Sequence, residues 1–428
     1  MKIQYVVIAV SLVLAVVALL LFTGVIPGFR SGSGGQSGEI TLWGPLPQAY
    51  FAPALSDFHN RFKNIRITYR EMRPDTYIEE LVDAFASSRG PDVFLLPHDQ
   101  IEKQKERVFV LTSDIYPLRA FRDGFLDSGD IFTSPEGIAA LPFYTDPLVL
   151  YWNRDLFQSA GIAQPPASWD AFSALAAKLK ISNGVAITQA GAALGEFQNI
   201  SNAKDILALL MLQTGNPIVD RATRKAVFAE REDGLTAGED AVLFFNNFSD
   251  PRKTTYTWNR TLPSARDMFG AGQLAMYVGF ASDLDAILAR NPHLNFDIAE
   301  VPQIAGGRVK ATYAKSYGLA VSKQSRLAAV ALTVIYDLTS FNQQKLLADT
   351  GVTPPVLRTL LSNPPENPVE ETFYASAIRA RTWLDPDPER TRSIFQEMAG
   401  SVLSGAARLD AAVRNAQNQI NALFLQTQ

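Results

Sequence analysis

Short apolar runs and helical stripes take turns along residues 39–100. Ile40–Trp43 has the length of a strand and ends in a turn marked by Pro45 and Pro47, after which Phe51, Leu55, Phe58 and Phe62 recur along one helix face. Ile65–Tyr69 is a second strand, and a polar turn at Arg70–Asp75 leads to a helix with Ile78, Leu81, Val82 and Phe85 as its buried stripe. Gly90-Pro91 stops that helix, and Asp92–Leu96 is a third strand. Strands alternating with amphipathic helices predict an α/β fold with parallel pairing and helices on both faces. Ligands of such sheets sit beyond the carboxyl ends of the strands, here Trp43–Gln48, Glu71–Asp75 and Leu96–Gln100.

Further along, Ile138–Pro142 reads as a strand closed by a proline, Phe143–Asp146 as a turn, and Leu148–Trp152 as a second strand. Gly161 stops a short amphipathic turn, Pro165 and Pro166 stiffen the connection, and Ser168 caps a helix with Trp169, Phe172, Leu175, Ala176 and Leu179 on one face. Ser201–Gly215 is helical, and Ala229–Glu239 is a loop. Phe296–Val301 and Tyr317–Val321 are strands, Ser325–Leu338 is a helix, and a proline-rich run at Pro354–Pro368 wraps a surface. Arg390–Leu403 and Leu409–Phe424 are closing helices.

At 428 residues and 47% hydrophobic composition the chain can bury two lobes. A formal charge of -4 speaks against nucleic-acid binding. Without a cysteine there is no disulfide, no thiolate metal site and no lipidated cysteine. Ile3–Phe29 carries no charge, and Tyr5–Ile26 as a helix spans roughly 30 Å, the thickness of a bilayer core. That reads as an uncleaved, single-pass anchor over 1–30, with a cleaved signal peptide as the alternative. The Gly/Ser run SGSGGQSG at 31–38 is a flexible tether.

Catalytic chemistry finds little support. His59, His98 and His293 have no HxxxH spacing and no nucleophile elbow, no phosphate loop or dinucleotide fingerprint follows a strand, and Asp385 and Asp387 are split by prolines. The expectation is a protein that is not an enzyme and uses no cofactor or metal.

The segment GIAALPFYTDPLVLYWNRDLFQSAGIAQPPASWDAFSALAAKLK at 137–180 carries a specific order of proline, acidic residue, Tyr-Trp-Asn, Leu-Phe, Ala-Gly, Pro-Pro and Ser-Trp-Asp. In this it resembles the family 1 extracellular solute-binding proteins, the group that includes maltose-binding protein. GPDVFLL at 90–96, FGAGQLAMYVG at 269–279, the stretch Ala299–Gln303 and YGLAVSK at 317–323 extend the resemblance over nearly the whole of the rest. It implies a two-lobed periplasmic-binding-protein-like fold with discontinuous lobes, 39–146 plus 299–340 and 147–298 plus 341–428, and an interlobe cleft. It also implies an extracytoplasmic monomer that captures a small polar solute, a carbohydrate, and delivers it to the permease of an ABC importer. Ligand sensing through a membrane receptor, or an envelope scaffold that binds nothing, are the rival readings.

On that resemblance Asp146 takes the crossing position of a carboxylate that accepts sugar hydroxyls; the plain alternative is a turn cap ahead of Pro147. Asp99, in LLPHDQ, matches a second ligand carboxylate, although Gln100 replaces the arginine that follows it in maltose-binding protein. Trp43, Trp258 in TYTWNR and Trp383 in WLDPDP are candidate stacking platforms or core residues. GFASDLD at 279–285 and ERTRSIF at 389–395 lack the two cleft tryptophans of maltose-binding protein. Ser282, Asp283, Tyr144, Tyr313, Lys315 and Arg73 offer instead a hydrogen-bonding, charged set suited to a smaller sugar, a polyol or an anion.

Overall fold

The computed structural model describes residues 37–426 except 185, 233 and 352. The segment expected to be an anchor and most of the expected tether therefore lie outside the described residues. Among those described, no helix is long and apolar enough to cross a membrane.

β1 (Gly38–Gly44), α1 (Gln48–Arg61), β2 (Ile65–Glu71), α2 (Tyr77–Ala86) and β3 (Val93–Pro97) follow the predicted rhythm. β1 pairs in parallel with both β2 and β3. The alternation of β3 sorts its side chains: Val93 and Leu95 join the core beneath α1, while Phe94 and Leu96 pack with Leu81 and Phe85 of α2 on the other face.

β4 (Leu141–Asn153) departs from the expected strand, turn and strand. It is one continuous strand of thirteen residues, all buried. Pro142 is tolerated because the register shifts between Tyr317 and Gly318 of the neighbouring strand, leaving Phe143 as the extra residue of a bulge beside it. Asn153 and Ser168 then cap the next two helices, accepting from the backbone N–H of Leu156 at 3.1 Å and Ala171 at 3.3 Å. The second of these is α3 (Trp169–Leu179).

The second lobe is built on β5 (Ala186–Ala192), α4 (Ala203–Gln213), β6 (Leu274–Phe280), α5 (Asp283–Arg290) and β7 (Phe296–Glu300). Within the segment expected to be a loop, Arg231–Glu232 and Leu235–Thr236 pair as a small hairpin. β8 (Thr312–Val321) returns to the first lobe and pairs antiparallel with both β3 and β4. The sheet order is β2-β1-β3-β8-β4-β6-β5, and β7 pairs the second half of β4. Parallel pairing thus holds for β1 to β3, and the strands that join the lobes run antiparallel. β4 gives its first half to one lobe and its second half to the other, with Asp146 at the changeover.

α6 (Ala328–Leu338) buries Val330, Ala331, Val334, Ile335 and Leu338. α7 (Phe341–Ala348) packs on the first lobe, where the lobe boundary expected at 341 would have put it on the second. Gln344 donates to Phe143 O at 2.9 Å, Gln343 donates to Asp57, and Leu347 and Val356 join the core around Ile40 and Leu42. Polar partners buried by tertiary packing decide this, and helical periodicity does not carry that information. α8 (Pro388–Ser404) and α9 (Leu409–Gln426) close the second lobe with Phe395, Met398, Val413 and Ile420 inward.

Candidate functional site

A cavity of about 450 Å³ lies between the lobes. Pro45, Leu46, Pro47, Tyr50 and Thr353 line it from the first lobe, and Ser201, Asn202, Arg266, Phe280, Ser282, Asp283 and Asp285 from the second. Tyr144 and Asp146 of β4, with Lys315 and Tyr317 of β8, form its floor.

Asp146 is held from the second lobe. Its Oδ1 accepts from the Ser282 backbone N–H at 3.0 Å and its Oδ2 from the Ser282 hydroxyl at 2.6 Å. Burial pushes its carboxyl up to about 6, against the two Ser282 bonds that favour the charged form. Each carboxylate oxygen has a second lone pair for a ligand. The turn-cap reading is partly right, because Asp146 orders the turn that starts α5. Asp283 is fully engaged: its carboxylate accepts from the Phe280 N–H at 3.0 Å, the Tyr277 hydroxyl at 2.8 Å and Arg266 at 3.1 Å. Tyr144 lies face to face with Tyr317, ring centroids 4.5 Å apart.

Lys315 stands directly opposite Asp146 in the β4–β8 ladder, and its ammonium sits 4.4 Å from the centroid of the Phe280 ring. Burial works against its charge, but Asp205, Tyr317, Asp99 and Asp146 outweigh burial and hold the amine above its usual range.

Tyr144, Asp146, Ser282 and Asp283, together with Lys315, are thus brought together at one cavity. The other residues singled out from the sequence do not line it. Trp258 is wholly buried and donates from Nε1 to Asn199 at 2.9 Å, so it is core and offers no face to a ligand. Trp383 is buried in a stack on Phe395, centroids 6.1 Å apart. Trp43 is half-buried with the Arg70 guanidinium 4.5 Å from its ring centroid, which covers one face of the ring. Arg73 is exposed and forks onto Asp75. Tyr313 is buried against His98, its hydroxyl 3.3 Å from Nε2. Asp99 is half-buried in the turn after β3, beside a buried ion pair in which Lys204 donates to Asp385 at 2.6 Å. That pair, with Thr391 donating to the same carboxylate at 2.9 Å, is internal structure of the second lobe.

Tyr50, Asn202, Arg266, Phe280, Asp285, Tyr317 and Thr353 had not been singled out. Asp285 and Phe280 lie in the GFASDLD segment already under scrutiny, and Tyr317 opens the YGLAVSK strand; nothing in the sequence marks the other four.

With this geometry in place the comparisons are consistent. The model of the bacterial extracellular solute-binding protein family matches residues 43–335, more than half of the chain, and the chain belongs to that family. A binding protein of Brucella abortus strain 2308 is 25% identical over 160 residues, which span 36% of this chain and 38% of the relative's own length. Among solved structures, a cyclic α-maltosyl-1,6-maltose binding protein from Arthrobacter globiformis superimposes with a TM-score of 0.76 at 17% identity, covering 91% of this chain and 99% of that one. An ABC transporter solute-binding protein from Thermotoga lettingae with α-D-tagatose bound gives 0.71 at 18% identity, covering 90% of this chain and 100% of that one. The fold is therefore the two-lobed α/β fold of periplasmic binding proteins.

Proposed function

We propose that this chain is the extracytoplasmic binding component of an ATP-driven importer. As a monomer it captures a small carbohydrate between its lobes and delivers it to a membrane permease, while its N-terminal apolar segment holds it at the membrane. The observation that carries the reading is the interlobe cavity, whose walls come from both lobes and whose floor is the two strands that join them. Ligand bonds made by both walls favour the closed arrangement by the difference in affinity between closed and open states. Its volume of about 450 Å³ falls within the usual range for small-molecule sites. Family membership and the sugars bound by structural neighbours support the ligand class.

A thermal-shift screen of monosaccharides, disaccharides, cyclic oligosaccharides and polyols tests it. A ligand present at 100 times its Kd adds about 2.7 kcal/mol. No shift with any of them would overturn the carbohydrate reading. Fractionation of the full chain with membranes tests the anchor, and a mature N-terminus beyond Phe29 would overturn it.

A further inference from the structure

The carboxylates bordering the cavity each hold a protein donor: Asp146 has Ser282, Asp283 has Arg266 and Tyr277, and Asp285 has Tyr50. Lys315 is different. Its ammonium rests on the Phe280 ring, and among the described residues no acceptor lies within hydrogen-bonding distance of it. An ammonium with no acceptor in contact leaves its N–H donors open to a ligand oxygen, so Lys315 points to what should fill the cavity.

We propose that Lys315 is the specificity-determining residue of the cavity, sharing one hydroxyl of a neutral polyhydroxyl ligand with Asp146. That hydroxyl accepts from the ammonium and donates to the carboxylate that stands opposite in the ladder. The proposal rests on the carbohydrate-binding reading and narrows it to neutral sugars. A hydroxyl can accept from Lys315 and donate to Asp146 at once, whereas a carboxylate has no proton to donate. Charge argues the same way. Asp146, Asp283 and Asp285 border the cavity against Lys315 and Arg266, and Asp99 and Asp205 already stabilise the Lys315 charge. A ligand carboxylate would add one more anion to a site where anions are in excess.

Calorimetry on matched pairs tests this: glucose with glucuronate, galactose with galacturonate, and maltose with its ring-retaining uronic acid, 4-O-α-D-glucuronosyl-D-glucose. The wild-type protein should bind the neutral member of a pair at least tenfold more tightly than its acid. Lys315→Met should weaken the neutral sugar at least tenfold; its unliganded Tm should also fall, because Asp205, Asp99 and Asp146 lose the cation they favour, so affinity is read on folded protein well below that Tm. Lys315→Gln, which keeps an N–H donor, should lose less, and it carries the test if the methionine variant does not fold. An acid that binds as tightly as its neutral partner, or wild-type affinity in the folded variants, overturns the role of Lys315 and leaves carbohydrate binding standing. Failure of all three pairs to bind the wild-type protein overturns both.

Discussion

The hydroxyl of Tyr50, on α1 of the first lobe, donates to the carboxylate of Asp285, on α5 of the second. Asp285 thereby pushes the phenol up to about 12, so the bond persists at every physiological pH. Both residues border the cavity, and this bridge ties the lobes together without a ligand.

Tyr50→Phe should loosen that closed arrangement. The bond is largely exposed, so its worth is about 1 kcal/mol or less, a shift of roughly fivefold in the closed-to-open ratio. Small-angle scattering should show a larger radius of gyration for the unliganded variant and a return to the wild-type value with saturating sugar. Identical unliganded profiles would mean that packing elsewhere holds the lobes.

Asp146→Ala should weaken sugar binding by about 1.5–3 kcal/mol, or about ten- to a hundredfold in Kd, as expected for a bond to a charged group. With the carboxyl pushed up to about 6 by burial, the accepting form predominates above that pH and is lost below it. Wild-type affinity should therefore fall as pH drops through about 6, and Asp146→Asn should bind weakly with little pH dependence over the same interval. Isothermal titration between pH 5 and 8 reads both, and a flat wild-type profile would contradict the role assigned to the carboxylate.

His98 gives a prediction of opposite sign for stability. Burial lowers the imidazole to about 4, and its Nδ1 accepts from the Ser316 N–H at 3.2 Å, which favours the neutral ring. An unfolded histidine titrates near 6.5, so the native state forgoes a proton that the unfolded state takes up. The His98 contribution is full above pH 6.5 and is lost as pH falls towards 4, by up to about 3 kcal/mol. Asp146, whose native value lies above the unfolded one, contributes most below about pH 4 and loses that contribution as pH rises through 6. Relative to wild type, His98→Asn should gain stability on acidification and Asp146→Asn should lose it. Urea unfolding at pH 4.5 and 7 checks both signs.

Much of this was legible because local rules and tertiary packing agree. Asp92–Leu96 has the apolar composition of a strand buried on both faces, and Ser168 does cap its helix. Asp146 was singled out because the order of residues around it is distinctive, although its grip on Ser282 was not visible in that order. β4 was misread because two prolines within six residues signal a turn, and only the bulge against β8 makes a strand possible. Asn202, Arg266 and Thr353 could not be found because their proximity depends on how the lobes meet. Trp258 shows the converse: TYTWNR is a largely polar run, but Thr257 and Trp258 are both fully buried, the Thr257 hydroxyl accepting from the Gly191 N–H at 2.6 Å.

Tryptophan truncation separates scaffold from site. Trp258 is wholly buried and hydrogen-bonded to Asn199, so Trp258→Ala should cost about 3–5 kcal/mol of stability while leaving sugar affinity in the surviving folded protein unchanged. Trp43 is only half-buried and stacks on Arg70, a contact of about 0.5–1 kcal/mol at an exposed position, so its truncation should lower stability less. Neither ring borders the cavity, and neither substitution should move Kd by more than about twofold. Denaturation and calorimetry on both variants give the comparison. A Trp43→Ala protein with wild-type stability and tenfold weaker binding would show that the Arg70 stack opens to admit ligand, and it would extend the binding surface to the carboxyl end of β1.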